Sequence, residues 1–169
     1  MDAPPFDPTQ LYRQLRVLAR ARLRDGGRNT LLDTSALVHE AYLRMAPGAA
    51  HLEDPRQWLA YASRTMRSVV VDMARKRQRL RHGGEACMVT WTESLDKPAP
   101  VTADDVVDLH EALGELEQID PRLAQVVEMR YFAGLDDAQI AQALGLSERT
   151  VRRDWDKARR LLEHALKGG

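Results

Sequence analysis

Arg152 and Arg153 stand three and four residues after Arg149, with Ser147 and Thr150 beside them and Lys157 and Arg160 on the following turns. On a helix this spacing gathers the guanidinium groups along one side of the rod. A guanidinium fork can bond two acceptors at once, so such a row suits guanine edges in a DNA major groove and phosphate oxygens along a backbone. A second basic set lies upstream, at Arg64, Arg67, Ser68, Arg75, Lys76 and Arg77. Unstacked bases need aromatic platforms beside the cations. The only aromatics nearby are Trp58 and Tyr61, which fit a core better than a platform. The residues offer little for catalysis. His39-Glu40 and His110-Glu111 begin like the zinc-protease signature, but Leu43 and Gly114 stand where its second histidine belongs. No phosphate loop or nucleophile elbow is present, and Cys87 is the single cysteine, without a metal-ligand pattern around it. The expectation is a protein that is not an enzyme, with no cofactor and no metal.

The downstream arginines need a precise mount, and residues 136–153 spell one. Ile140, Ala141 and Leu144 give a short helix one apolar face, and small Ala141 lets a second helix cross closely. Gly145 ends it, since glycine takes the positive φ of a helix C-terminus without penalty. Ser147 then caps the next helix, with Glu148 in its first turn where the helix dipole favours an anion. Val151, Trp155, Ala158 and Leu162 form its inner stripe. Two helices joined by a glycine turn, the second rich in arginine, make a helix-turn-helix.

The remaining chain is helical in pattern. Asp7-Pro8, Asp54-Pro55 and Asp120-Pro121 each mark a helix start. Helices are expected at residues 9–24, at about 34–45 with a stop at Pro47-Gly48, at 55–80, at 104–118 and at 121–132. The 55–80 helix carries an apolar stripe of Trp58, Leu59, Ala62, Met66, Val69, Val70 and Met73, with its arginines outside. Residues 82–103 lose the pattern at Gly83-Gly84, Pro98 and Pro100 and read as a linker, with Val89 and Trp91 as a short docked segment. Net charge is zero but segregated. Residues 1–82 carry 15 basic against 8 acidic side chains, 83–128 carry 2 against 11, and 129–169 carry 8 against 6. The two ends suit nucleic acid and the middle does not. The composition, 44% hydrophobic without a long apolar run or a signal-peptide pattern, leads us to expect a cytoplasmic protein and no membrane partner.

A basic helical N-terminal part, a linker and a C-terminal helix-turn-helix together resemble the extracytoplasmic-function (ECF) group of sigma-70-type factors, the smallest bacterial RNA polymerase sigma subunits. Residues 120–135, Ile140-Ala141, Leu144-Gly145-Leu146-Ser147 and Thr150-Val151 are similar to the family's region 4. Residues 37–44, Leu-Val-His-Glu-Ala-Tyr-Leu-Arg, resemble region 2.2, and residues 71–77 resemble the end of region 2.4. The resemblance implies an all-α fold of two small domains joined by a flexible linker. Residues 1–82 would form a region 2-like domain, 83–103 the linker and 104–169 the region 4-like helix-turn-helix domain. It implies a sigma factor that binds core RNA polymerase, through the β′ clamp helices and the β flap, and directs promoter-specific initiation. Asp33, Leu37, Glu40, Leu43 and Arg44 would bind polymerase. Arg64, Arg67, Ser68, Arg75, Lys76 and Arg77 would hold the −10 element. Ser147, Arg149, Thr150, Arg152, Arg153, Lys157 and Arg160 would serve the −35 element.

Family members commonly carry an acidic cluster just before the Leu37-Val38 equivalent, whereas here only Asp33 is acidic in Asp33-Thr34-Ser35-Ala36. Phosphorylation of Thr34 or Ser35, adding roughly −1.5 to −2 charges, would restore that negative surface, so a Ser/Thr kinase joins an anti-sigma factor as a candidate regulator. The residue-level alternative is that Thr34 or Ser35 simply caps the helix. Ser68 replaces the asparagine of many relatives, so promoter specificity does not carry over. The acidic side chains of 104–117 are also candidates to lie against a basic surface of the free protein and restrain it. The alternative function is a stand-alone helix-turn-helix regulator with an N-terminal dimerisation or sensing domain. The run Arg75-Lys76-Arg77-Gln78-Arg79-Leu80-Arg81 favours the sigma reading, because a sensing domain has no need of it.

Overall fold

Aspartates open the downstream helices by the same local device. Asp120 Oδ1 accepts from Leu123 N–H at 3.4 Å ahead of Pro121. Asp136 Oδ1 accepts from Gln139 N–H at 2.8 Å, while the Gln139 amide oxygen accepts from Asp136 N–H at 3.0 Å, a reciprocal capping box. Ser147 Oγ accepts from Thr150 N–H at 3.2 Å. In each case a side chain satisfies an orphan donor of the first helical turn.

The computed structural model describes residues 34–49, 54–81, 89–90, 100–101 and 103–167. The helix expected at 9–24, and Asp33 with it, lie outside the described residues. The described elements are α1 (Thr34–Ala49), α2 (Pro55–Arg81), α3 (Ala103–Ile119), α4 (Pro121–Val127) running into a π-helical turn (Glu128–Phe132), α5 (Asp137–Leu144) and α6 (Glu148–Lys167). Between α2 and α3, β1 (Val89–Thr90) pairs antiparallel with β2 (Pro100–Val101), Val89 opposite Val101. This two-residue ladder lies within the segment expected to be a linker. Among the described residues every other element is helical.

Two expectations need correction. Helix α1 does not stop at Pro47-Gly48 but continues to Ala49. A proline in the last turn removes one backbone bond only, and Tyr61 Oη donates to the carbonyl of Arg44 at 3.4 Å nearby. Tyr61 packs so closely that a Cβ on Gly48 would lie 2.8 Å from its Oη. The other concerns α2. Its expected stripe is buried at Trp58, Ala62, Met66, Val69 and Val70, but Arg67, Val71 and Ala74 are buried too. Residues 60, 64, 67, 71, 74 and 78 recur at steps of three and four, so the helix carries a second face. One side packs on α1 and another on α3, the π-turn and α5. A single apolar core runs from Leu37, Ala41 and Met45 through Met66 and Val69 to Leu113, Leu123, Met129, Phe132, Ile140 and Val151.

The helix-turn-helix closes as expected. Gly145 has φ 67°, and its N–H and that of Leu146 both donate to the Ala141 carbonyl. Gly134 takes φ 68° after the π-turn, where Leu135 N–H donates to Met129 O at 3.0 Å. Gly114, inside α3, is different, since a Cβ there would meet nothing within 4 Å. Gly145→Ala is therefore expected to lower the unfolding free energy by about 1–2 kcal/mol through left-handed strain. Gly114→Ala is expected to raise it by up to about 1 kcal/mol through helix propensity, and urea titration of the two variants reads both.

Candidate nucleic-acid interface

On α6 the apolar side, Val151, Ala158 and Leu162, faces the core, and Arg149, Arg152, Arg153, Lys157 and Arg160 are exposed. The helix is pinned by charges on either side of that stripe. Asp154, only 2% exposed, pairs with Arg122 Nε of α4 at 2.7 Å and with Arg153 at 3.6 Å. Trp155 lies under the Arg130 guanidinium, 4.7 Å from its ring centroid. Asp137, at the start of α5, ties Arg130 at 2.9 Å and Arg152 at 2.9 Å, and Arg152 also reaches Glu148 at 3.0 Å. Hydrogen bonding to Asp137 holds the Arg152 guanidinium still more firmly protonated. Lys157 stands 3.5 Å from Asp120. Arg149 and Arg160 make no ion pair among the described residues. Ser147 and Thr150 bond each other at 2.9 Å and form the N-cap, so their first role is to start the helix.

The upstream set is divided. Arg75 and Lys76 are exposed and Arg77 half-exposed at the C-terminal end of α2. Arg64 is exposed but paired with Glu117 of α3. Arg67, expected on a DNA-binding surface, is 6% exposed. Its Nη1 donates to Glu128 of the π-turn at 2.6 Å, its Nε to His110 Nδ1 at 3.0 Å, and its Nη2 to the His110 carbonyl at 3.0 Å. Glu117 approaches at 3.9 Å. His110 must be neutral, with Nδ1 as the acceptor, to receive that bond. Burial pushes its pKa below the ordinary value, helped by the Arg67 and Arg75 charges and opposed by Glu111 and Asp72.

On α1, Arg44 donates from Nε to Glu40 at 3.0 Å and from Nη1 to Ser68 Oγ at 2.9 Å and Asp72 at 2.7 Å. Ser68 and Arg44, expected to contact two different partners, thus contact each other. Leu43 is 53% exposed and Leu37 is completely buried.

The family model for the ECF sigma factor matches residues 9–168. The chain belongs to the ECF sigma factor family. One similar protein, the "Probable RNA polymerase sigma factor RfaY" of Xanthomonas campestris pv. campestris, is 26% identical over 133 residues. The alignment covers 77% of this chain and 33% of that protein, so the chain spans about a third of its relative's length. No solved structure matches the chain at the same stringency.

Against the residue roles expected of an ECF sigma factor, three placements differ. Arg67 is interior because a cation on the second face of α2 meets carboxylate and imidazole from the C-terminal half. Leu37 sits in the core, where its apolar side chain is removed from water, and leaves Leu43 as the exposed leucine of that segment. Arg152 is bound to two carboxylates of its own chain. Glu128, His110, Asp137 and Asp72, which hold these arginines, carried no signal in the helical patterns, since each reads as an ordinary surface residue of its own helix. No group of three or more potential metal ligands is assembled among the described residues. No described helix is long and apolar enough to cross a membrane.

The depressed His110 pKa makes the Arg67 cluster sensitive to acid. Protonation puts a donor and a positive charge against Arg67, and the unfolded chain takes up that proton more readily than the folded one. The cluster keeps its full contribution above about pH 6.5 and loses it as pH falls below that value. The urea midpoint of the wild type is expected to fall more than that of His110→Gln between about pH 7.5 and about pH 5.5. The glutamine carbonyl preserves an acceptor for Arg67 without titrating.

Proposed function

We propose that this chain directs promoter-specific initiation by core RNA polymerase, reading a −35 element with α6 and a −10 element with α2. The observation that carries this reading is the pairing of an exposed arginine row on a helix-turn-helix with a second basic helix end at Arg75-Lys76-Arg77, in a chain whose family is that of ECF sigma factors. The N-terminal turns of α6 present Arg149, Arg152 and Arg153 for base edges, while Lys157 and Arg160 stand further along for phosphates. On α1, exposed Leu43, with Glu40 and Arg44 beside it, is the contact for the β′ clamp helices, and the region 4-like half meets the β flap. Nucleotide joining belongs to the polymerase; this chain supplies position.

Arg149 and Arg152 should differ in cost. Arg149 meets DNA without breaking an ion pair, whereas Arg152 must first give up Asp137 and Glu148. Thr34 begins α1, and a phosphate at a helix N-terminus is favoured by the dipole, which supports Thr34 and Ser35 as the positions through which a Ser/Thr kinase would strengthen polymerase binding.

Transcription by purified core polymerase with and without the chain tests the main reading. Initiation at defined promoters only in its presence is the expected result; specific duplex binding without initiation points to a stand-alone regulator instead. Arg149→Ala is expected to reduce discrimination at one −35 base pair by about 1–3 kcal/mol. Lys157→Ala should weaken all sequences alike and reduce the salt slope by about one unit. Polymerase affinity unchanged among Thr34→Ala, Ser35→Ala and the double Asp variant would remove the phosphorylation switch.

A further inference from the structure

Two guanidinium and two carboxylate groups meet beside the N-terminal turns of α6. Asp137, in the first turn of α5, divides its oxygens between the two arginines. Its Oδ1 is closed to solvent with Arg130 Nη2 2.9 Å away, and its Oδ2 accepts from Arg152 Nε at 2.9 Å. Arg152 Nη2 donates to Glu148 Oε2 at 3.0 Å. The Asp137 side chain is 18% exposed and that of Arg152 is 63% exposed. The carboxylate is therefore fixed to the fold, with Arg130 held between it and the Trp155 ring, and the Arg152 guanidinium is the movable partner.

The charges of Arg130, Arg152, Asp137 and Glu148 sum to zero. Arg152 differs in this from Arg149, which makes no ion pair among the described residues. A lone cation on a DNA-facing helix is drawn to any phosphate, releases a counterion and adds affinity for every sequence alike. A guanidinium that already holds two carboxylates brings no net charge, and its approach to a phosphate sets those carboxylates against the phosphate. The place of Asp137 adds to this. In a helix-turn-helix the first helix crosses the DNA backbone, and a helix N-terminus ordinarily attracts phosphate, whereas the first turn of α5 presents a carboxylate. Exposed ion pairs are individually weak, so Arg152 is not locked away. A guanine edge that offers two acceptors, met while the whole helix is seated in the groove, draws it off; a phosphate met in passing does not.

We propose that Asp137, which lies outside the reading helix, is a specificity-determining residue: with Glu148 it withholds Arg152 from phosphate, so that α6 draws on Arg152 only at its own sequence. This deepens the −35 reading of α6 and rests on it. Specificity is a difference of affinities, and weakening every wrong complex widens that difference without a new contact to the right one. Asp137 is a positioning residue in this scheme, acting on DNA through Arg152.

The test uses polymerase reconstituted with the full-length chain. Its probes are a promoter duplex that the parent holoenzyme selects from a library randomised over the upstream element, and the same duplex with that element scrambled. Asp137→Asn keeps the size of the side chain and removes its charge. Binding of this variant to the scrambled duplex is expected to tighten at least about three-fold at about 0.1 M salt, with a log–log salt slope steeper by about one unit, as for one added phosphate contact. Binding to the selected duplex tightens less, so the ratio of the two affinities falls. In an Arg152→Gln background the same substitution is expected to leave slope and ratio unchanged. No gain in folded Asp137→Asn overturns the proposal. So does an equal gain in the Arg152→Gln background, because Asp137 then acts by its own charge and not through Arg152. Glu148→Gln is expected to shift binding in the same direction, and it decides the matter if Asp137→Asn does not fold. Arg149→Ala separates the proposal from the reading beneath it. If that variant binds both duplexes as the parent does, α6 is not the reading helix and both fall; if it loses discrimination while Asp137→Asn gains nothing, the proposal alone falls.

Discussion

A guanidinium surrounded by protein needs acceptors for its N–H groups, and Arg67 finds them only outside its own half of the chain. Glu128 comes from the π-turn and both the imidazole and the carbonyl of His110 from α3. Without those partners a cation 6% exposed, set beside the buried Val71 and Ala74, is untenable. Much of the architecture depends on this contact. It sets α3 along α2, keeps His110 neutral and draws Glu117 between two arginines. An ion pair of this kind contributes orientation more than net stability, because the desolvation of both groups offsets most of their attraction.

The reading helix is held by a parallel arrangement on a smaller scale. Asp154 on the inner side of α6 and Asp137 at the head of α5 are carboxylates placed among arginines, and each holds one arginine from the neighbouring packing unit and one from α6 itself. Together with Arg130 over Trp155, they set the rotation of α6 about its axis, which decides which guanidinium groups face outward. Arginine thus serves two purposes within a few residues. Arg122 and Arg130 position the helix, and Arg149, Arg153 and Arg160 are left on the exposed side.

On α1 and α2 the same division separates neighbours. Arg44, Ser68 and Asp72 form a bridge between the two helices of the N-terminal half, while Leu43, one residue earlier, stands in solvent. Arg75 and Lys76, two turns further along α2 than Arg67, remain exposed. The basic helix is therefore not one uniform DNA surface. Its middle belongs to the fold in this arrangement and its end to solvent.

Local chemistry was legible in the residues themselves. Asp120, Asp136 and Ser147 cap helices because a short side-chain acceptor reaches its own N–H groups two or three residues on, and Gly145 turns because it lacks a Cβ; neither depends on anything distant. The helix-turn-helix, the buried stripe of α6, the all-α class and the family were all visible for that reason. Helical periodicity also revealed the first face of α2, which is apolar throughout. It did not reveal the second, because a stripe that includes Arg64, Arg67 and Gln78 looks like a solvated surface until Glu117, Glu128 and Asp104 arrive from 26 to 61 positions away. Whether an arginine is a ligand-binding group or an internal strut is settled by the partner it meets, and only the tertiary structure chooses that partner.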